Sequence, residues 1–263
     1  MRTFIKRYKN TILKTLPGLL LILFSFFLFA YYPKNTSEKK TPSTTETKVV
    51  PYNLETKSLN DLYKNVTQNP SDSEKEQIKR REKRARRKIN FKSSVPYKVK
   101  INRAENFVMI YGINIHGKYK IPYKCFICST AKNIKNTLLG DYRLNDRYRW
   151  HSMVDGSFAQ YAIRFYDKLM LHSVPYYRKS PDSLEVNEYN KLGNSASLGC
   201  IRMRVSDVKW IYDHCKSGTE ITIYDKKGEK PPIDYETPQR LSKKETKSSW
   251  DPTDPNKKNP WKE

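Results

Sequence analysis

Apolar and polar positions along this chain fall into four regimes. Leu16 to Tyr32 runs without a charge, behind a basic stretch at 1–15 that carries Arg2, Lys6, Arg7, Lys9 and Lys14. An uncharged run of that length is at the short limit of a membrane-spanning helix. Basic flanks stay inside, and Tyr31 and Tyr32 suit the outer interface. No small-x-small cleavage signal or lipidation cysteine follows, so an uncleaved anchor is favoured over a signal peptide. Residues 33–70 are rich in Thr, Ser, Lys, Asn and Pro with little periodicity, which predicts a mobile stalk. Ser71-Asp72-Ser73-Glu74 then opens a helix-like segment that is charged all round and therefore not a core helix.

From Tyr97 the pattern becomes short, β-branched and aromatic. Val99–Ile101, Phe107–Tyr111 and Tyr119–Cys128 predict strands, with a hairpin tip at 114–118. Gln160–Phe165 and Lys168–His172 predict a second hairpin around Tyr166-Asp167. One helix is expected after residue 200: Ser206 can cap it, Val208, Ile211, Tyr212 and Cys215 share a face, and Gly218 ends it. Thr219–Tyr224 closes the domain as a strand. Residues 96–226, about 130 in all, suffice for one core. Beyond them the Pro-, Lys- and Ser-rich residues 227–263 predict a disordered tail. The expected order is thus a basic N-terminus (1–15), an anchor (16–32), a stalk with a helix-like segment (33–95), one mainly β domain (96–226) and a tail (227–263).

The net charge of +24 implies anionic surroundings. With an anchor that places the charge outside, the basic segment 79–92 suits an anionic membrane or wall polymer, with a solvated spacer as the plain alternative. Nucleic acid is not expected. Cys125-x-x-Cys128 has no second pair, and strand positions three apart face opposite ways, so zinc is not expected either. An oxidising compartment favours a disulfide between Cys128 and Cys215, with buried free thiols as the alternative.

The chemistry concentrates in Ser197-Leu198-Gly199-Cys200-Ile201-Arg202, downstream of Leu171-His172-Ser173. A cysteine behind a glycine suits a nucleophile on a tight turn that lets backbone amides approach a reacting carbonyl. His172 is the candidate base for its thiol. His116, His151 and His214 read as surface or packing residues.

This set resembles the L,D-transpeptidase (YkuD-type) catalytic domain over roughly 96–226. Cys128-Ser129-Thr130-Ala131, Thr137-Leu138-Leu139-Gly140-Asp141-Tyr142, Asp207-x-x-Trp210 and Gly218-Thr219 support the resemblance. It implies a mainly β sandwich or barrel with one short helix after the nucleophile. It also implies an enzyme of peptidoglycan biosynthesis, with no cofactor, acting in cell-wall biogenesis and cell shape outside the membrane. Cys200 would attack the carbonyl of the third residue of a donor tetrapeptide stem, and the thioester would pass to an acceptor stem as a 3→3 cross-link. The resemblance makes His172 base and then acid, the Ser173 carbonyl its orienting group, and the Gly199 and Cys200 amides the oxyanion donors. Arg202 would brace the loop or meet a substrate carboxylate, with Ser197 and Tyr176 also placed at the substrate. The aromatic 175–193 stretch would form a lid. Leu198, Leu138 and Ala131 depart from the family's usual histidine, proline and glycine. Hydrolysis of the same thioester (an L,D-carboxypeptidase) and a non-catalytic wall- or membrane-binding module are the alternatives.

Overall fold

The computed structural model describes residues 72–262, all within one compact unit. The basic N-terminus, the apolar run 16–32 and the 33–70 stretch lie outside the described residues. Among the described residues no helix is long and apolar enough to cross a membrane.

The chain forms nine strands: β1 (Tyr97–Asn102), β2 (Phe107–Ile113), β3 (Tyr119–Ile127), β4 (Gly140–Arg143), β5 (Arg147–Ser152), β6 (Phe158–Tyr166), β7 (Leu169–Ser173), β8 (Ile201–Met203) and β9 (Glu220–Tyr224). Three helices accompany them: α1 (Asp72–Arg86), α2 (Val186–Tyr189) and α3 (Val205–His214). One sheet has the order β3-β2-β1-β9-β4 and the other β5-β6-β7-β8. The mainly β reading therefore holds.

Both sheets feed one apolar core. Val99, Ile101, Val108, Ile110, Ile221 and Ile223 enter it from the first sheet, and Ile163, Leu171, Ile201 and Met203 from the second. The hairpins turn where left-handed backbone is tolerated, at Gly117 (φ 73°) and Asp167 (φ 38°). The β2–β3 register slips between Ile110 and Tyr111, where Pro122 faces Tyr111 with no N–H to give the ladder.

Three expectations about the margins are corrected. First, the expected stalk does not stay apart from the domain over its last part. Helix α1 exposes most of its charges, but Ile78, Ala85 and the following Ile89 punctuate one side, and Ile89 is buried. Ile89 lies over Gly112, where an added Cβ would come within 2.4 Å of Ile89 Cγ1. Glu82 pairs with Lys124 of β3 at 2.6 Å, fixing the helix against the sheet.

Second, the tail described to residue 262 is folded, not disordered. Leu241, Ser248, Asp251, Asp254 and Asn259 are buried. Short polar side chains do there what apolar ones do elsewhere, closing the backbone into turns. Asp251 accepts from Thr253 N (2.7 Å), Asp254 from Asn256 N (2.8 Å), and Asn259 Nδ2 donates to the Asp251 and Asp254 carbonyls.

Third, α3 starts one residue before Ser206. Its N-cap, Arg204, makes no side-chain cap bond. The tail caps the helix instead: Val205 N donates to Asp251 Oδ2 (2.9 Å) and Ser206 N to Thr253 Oγ1 (3.0 Å). Trp210 packs its ring against Tyr97 (5.2 Å) and Tyr123 (5.8 Å).

Candidate active site

Strands β7 and β8 run parallel, with His172 opposite Arg202 and Leu171 opposite Ile201. Because side chains alternate, Leu171 and Ile201 enter the core, while His172 and Arg202 share the other face. Cys200 immediately precedes β8, in the bend that leads into it. The strand pair thus sets the histidine opposite the arginine that the sequence singled out, with the cysteine at the head of the neighbouring strand.

His172 is buried, and its Nδ1 lies 2.6 Å from the Ser173 carbonyl oxygen. A carbonyl only accepts, so Nδ1 carries the proton and Nε2 is left as the basic nitrogen. Burial, helped by the Arg202 charge, lowers the imidazole pKa to about 4, so the ring is neutral at neutral pH. Ser173 is itself anchored: its hydroxyl accepts from Gln160 N (2.8 Å) and donates to the Val174 carbonyl (2.8 Å).

Cys200 is half-buried, and its thiol donates to the Lys168 carbonyl at 3.6 Å. Burial raises its pKa, opposed by the Met170 amide and by Arg202. In the resting state the thiol and the imidazole are therefore both neutral. The thiol must turn from Lys168 O before it can give its proton to the ring.

The turn that presents Cys200 is held from below by residues 136 and 137. Thr137 Oγ1 donates to the Gly199 carbonyl (2.7 Å) and accepts from Ala131 N (3.0 Å), and Asn136 Nδ2 donates to the Leu198 carbonyl (3.0 Å). Arg103 in turn bonds the Ile134 and Thr137 carbonyls while gripping Asp225 through two nitrogens, at 2.7 and 2.8 Å. Gly199 is required for close approach: a Cβ there would lie 2.9 Å from Leu169 Cδ2 and 3.2 Å from Asn136 O. The signal in the sequence was the Thr137–Gly140 segment, but nothing in its spacing says which atoms meet residue 199.

Several sequence-predicted roles change with the geometry. Ser197 is buried, with its hydroxyl donating to the Cys200 carbonyl (2.6 Å) and accepting from Gly199 N (3.1 Å), so it braces the turn and does not face substrate. That same bond occupies the Gly199 amide named as an oxyanion donor. Tyr176 points inward, is 0% exposed and meets Trp150 edge-on at 5.3 Å, so it cannot line a cleft. Its neighbour Tyr177, 65% exposed, lines an open hollow of about 550 Å³ with Leu184, Val186 and Lys243. Cys128 and Cys215 are buried free thiols, as is Cys125. Burial raises all three, Cys215 to about 12.

Of the two tasks expected of Arg202, the bracing one is seen. Nη1 pairs with Glu188 of α2 at 2.5 Å, which braces the 175–193 segment. Its Nε is buried with no hydrogen-bond partner. Asp155, on the β5–β6 turn, lies close enough for its charge to act on His172, Cys200 and Arg202. Desolvation works against its ionised form, but bonds from the Ser157 hydroxyl (2.6 Å) and amide (3.1 Å) and the Arg202 charge hold it below the ordinary carboxylate range. The 175–193 stretch, expected as a lid, is packed down: Leu184 N donates to Ser249 O (2.8 Å), and Asn190 exchanges two bonds with the Leu241 backbone (2.8 and 2.9 Å). Among the described residues no group of three or more His, Cys, Asp or Glu gathers that could hold a metal.

Two sheets around one core, with a carbonyl-bound histidine on β7 and a glycine-backed cysteine just before the parallel strand β8, define the class as a mainly β domain with a candidate cysteine–histidine site. The comparison points to a family: the model of the L,D-transpeptidase catalytic domain (YkuD) matches residues 96–223, just under half of the chain. The putative L,D-transpeptidase YciB of Bacillus subtilis is 34% identical over 67 residues, which is 25% of this chain and 34% of that protein. The match thus spans about a third of the length of that curated relative. Among solved structures, the L,D-transpeptidase from Mycobacterium smegmatis is 14% identical, covering 49% of this chain and 59% of that one, with a TM-score of 0.40. The L,D-transpeptidase LdtMt1 in complex with imipenem is 19% identical, with the same coverages and a TM-score of 0.39. These structural likenesses are loose, and the assignment rests on the 96–223 match.

Proposed function

We propose that the protein is a cysteine L,D-transpeptidase that forms 3→3 cross-links between peptidoglycan stem peptides through a thioester on Cys200. The observation that supports the reading is the parallel β7–β8 pair, with the half-buried Cys200 thiol at the head of β8 and a neutral, tautomer-fixed imidazole on β7. In the first half-reaction Cys200 Sγ turns from the Lys168 carbonyl, gives its proton to His172 Nε2 and attacks the carbonyl carbon of the third stem residue. The bond from that carbon to the terminal D-alanine nitrogen breaks, and His172 returns the proton to the leaving amine. In the second half a side-chain amine of the acceptor stem attacks the thioester carbon, His172 takes its proton, and the thiol is restored. A neutral base is what this cycle needs, since an imidazolium could not accept the first proton.

The developing oxyanion needs donors. The Gly199 amide is committed to Ser197 Oγ, so the Cys200 amide is the better candidate of the two. Arg202 Nε, buried and unpaired, supports a substrate-facing role alongside the Glu188 brace. The uncharged 16–32 run behind a basic terminus supports a single-pass anchor with the catalytic domain on the wall side of the membrane.

The test is to incubate the full chain with a disaccharide-tetrapeptide and read the products by mass spectrometry. A cross-linked dimer with released D-alanine, absent with Cys200→Ala, is the expected result. D-alanine release with tripeptide and no dimer would replace transpeptidation by hydrolysis. Stem binding with no turnover by either protein would leave a binding module.

A further inference from the structure

The outer face of α1 has no part in the chemistry above. Between residues 79 and 92 the chain carries nine Lys or Arg and one acidic residue, Glu82, and that one is turned inward to Lys124. Docking through Ile78, Glu82, Ala85 and Ile89 rotates a cationic row outward. Arg80, Arg84 and Lys88 recur every fourth residue and are all exposed. At 1.5 Å of rise per residue, Arg80 and Arg84 stand about 6 Å apart along the helix, and Lys88 follows in the turn just after it. Arg80 has Glu76 at 3.2 Å, and Arg81 has Asp234 at 2.5 Å, while Arg84 and Lys88 have no carboxylate partner among the described residues.

This row is the wall of a groove. Arg80, Arg81, Arg84 and Lys88 line a hollow of about 470 Å³ whose other side is Ile121 and Pro122 of β3. A flat lipid surface would meet a convex face. A concave channel with cations at a regular step along one side instead fits a flexible linear chain that carries a negative charge at every repeat.

We infer that the α1–β3 groove is a second binding site, for a linear phosphodiester polymer of polyol repeats, held by Arg80, Arg84 and Lys88. The site is independent of the Cys200 chemistry and holds the catalytic domain along an anionic polymer of the wall.

The test measures binding of the full chain to synthetic poly(glycerol phosphate) by fluorescence anisotropy across a salt series. Phosphatidylglycerol vesicles and duplex DNA serve as separate arms. The variant is Arg80→Gln/Arg84→Gln/Lys88→Gln. The control is Lys216→Gln/Lys227→Gln/Lys258→Gln, which removes the same charge from exposed positions elsewhere. The groove variant should bind the polymer roughly tenfold or more weakly, with the slope of log K against log salt shallower by about 2, from about 0.7 for each lost contact. The control should stay within about twofold of the parent on that same electrostatic reasoning. Equal weakening by both variants would reduce the effect to net charge and overturn the site. Vesicles or DNA bound more tightly than the polymer, with loss in the same groove variant, would overturn the polymer as occupant. Circular dichroism melts matching the parent's would show that the variant folds.

Discussion

Replacing Asp251 by alanine removes one buried carboxylate that ties the C-terminal tail to the helix behind the cysteine turn. The carboxylate accepts from Val205 N at 2.9 Å, Thr253 N at 2.7 Å and Thr253 Oγ1 at 2.6 Å. Loss of a helix cap costs about 1 kcal/mol, and an unpaired amide at the buried Val205 position about 1–3 kcal/mol more. The expected loss at pH 7 is therefore about 2–4 kcal/mol, which is roughly 4–16 °C in Tm for a domain of this size.

The pH dependence supplies a second, sharper reading. Burial raises Asp251 from 3.8 to about 6 against the pull of its donors. A carboxyl whose folded pKa lies above its unfolded one binds more protons when folded, so the wild type gains stability as pH falls through 6 towards 3.8. Between pH 7 and pH 5 the gap between wild type and Asp251→Ala should widen by about 1.4 kcal/mol. His172 titrates in both proteins and cancels in the difference. Urea denaturation at both pH values, followed by tryptophan fluorescence, measures it. Equal midpoints at pH 7, or a gap that narrows at pH 5, would refute the reasoning.

Other predictions concern the site. With His172 held near 4 by burial, carbapenem acylation of Cys200 should keep its rate from pH 7 down to about 5.5 and fall only near 4; an acid limb centred at 6.5 in stopped-flow data would contradict this. Gly199→Ala should push against Leu169 and the Asn136 carbonyl, costing about 1–3 kcal/mol by denaturation and slowing acylation at least tenfold. Thr137→Val should cost about 1–3 kcal/mol, since it orphans Ala131 N and frees the Gly199 carbonyl. Tyr176→Phe should leave KM unchanged, because the side chain is fully buried against Trp150 and away from any cleft; a raised KM would restore a substrate role.

How much the sequence discloses depends on what kind of signal each element leaves. Strands β1, β2, β3, β6 and β7 announce themselves by β-branched and aromatic runs, and the Gly199-Cys200 turn by a residue pair with few other uses. The tail hides because composition counts apolar residues, whereas Asp251, Asp254 and Asn259 hold it by hydrogen bonds from short polar side chains. Helix α1 is legible from its N-terminal residues, but its docking is not: Ile78, Ala85 and the following Ile89 are too sparse to outweigh their charged neighbours, yet Ile89 fills the space over Gly112. Tyr176 and Tyr177 show the limit of reading side-chain direction, since neighbours in an extended segment face opposite ways and one residue of phase exchanges core for surface. The role of Ser197 turned on which atoms lie within hydrogen-bond reach after folding, which spacing does not encode.

The account stands or falls on Cys200. Intact-mass spectrometry of the full chain after incubation with a carbapenem, which the resemblance to L,D-transpeptidases implies should acylate Cys200, followed by peptide mapping, addresses it directly. The account predicts one covalent adduct per chain, mapped to Cys200 and absent in Cys200→Ala, with Cys125, Cys128 and Cys215 unmodified because their thiols are buried and their pKa values raised. A folded chain with a free Cys200 thiol that forms no adduct, or forms it at another residue, would contradict the account.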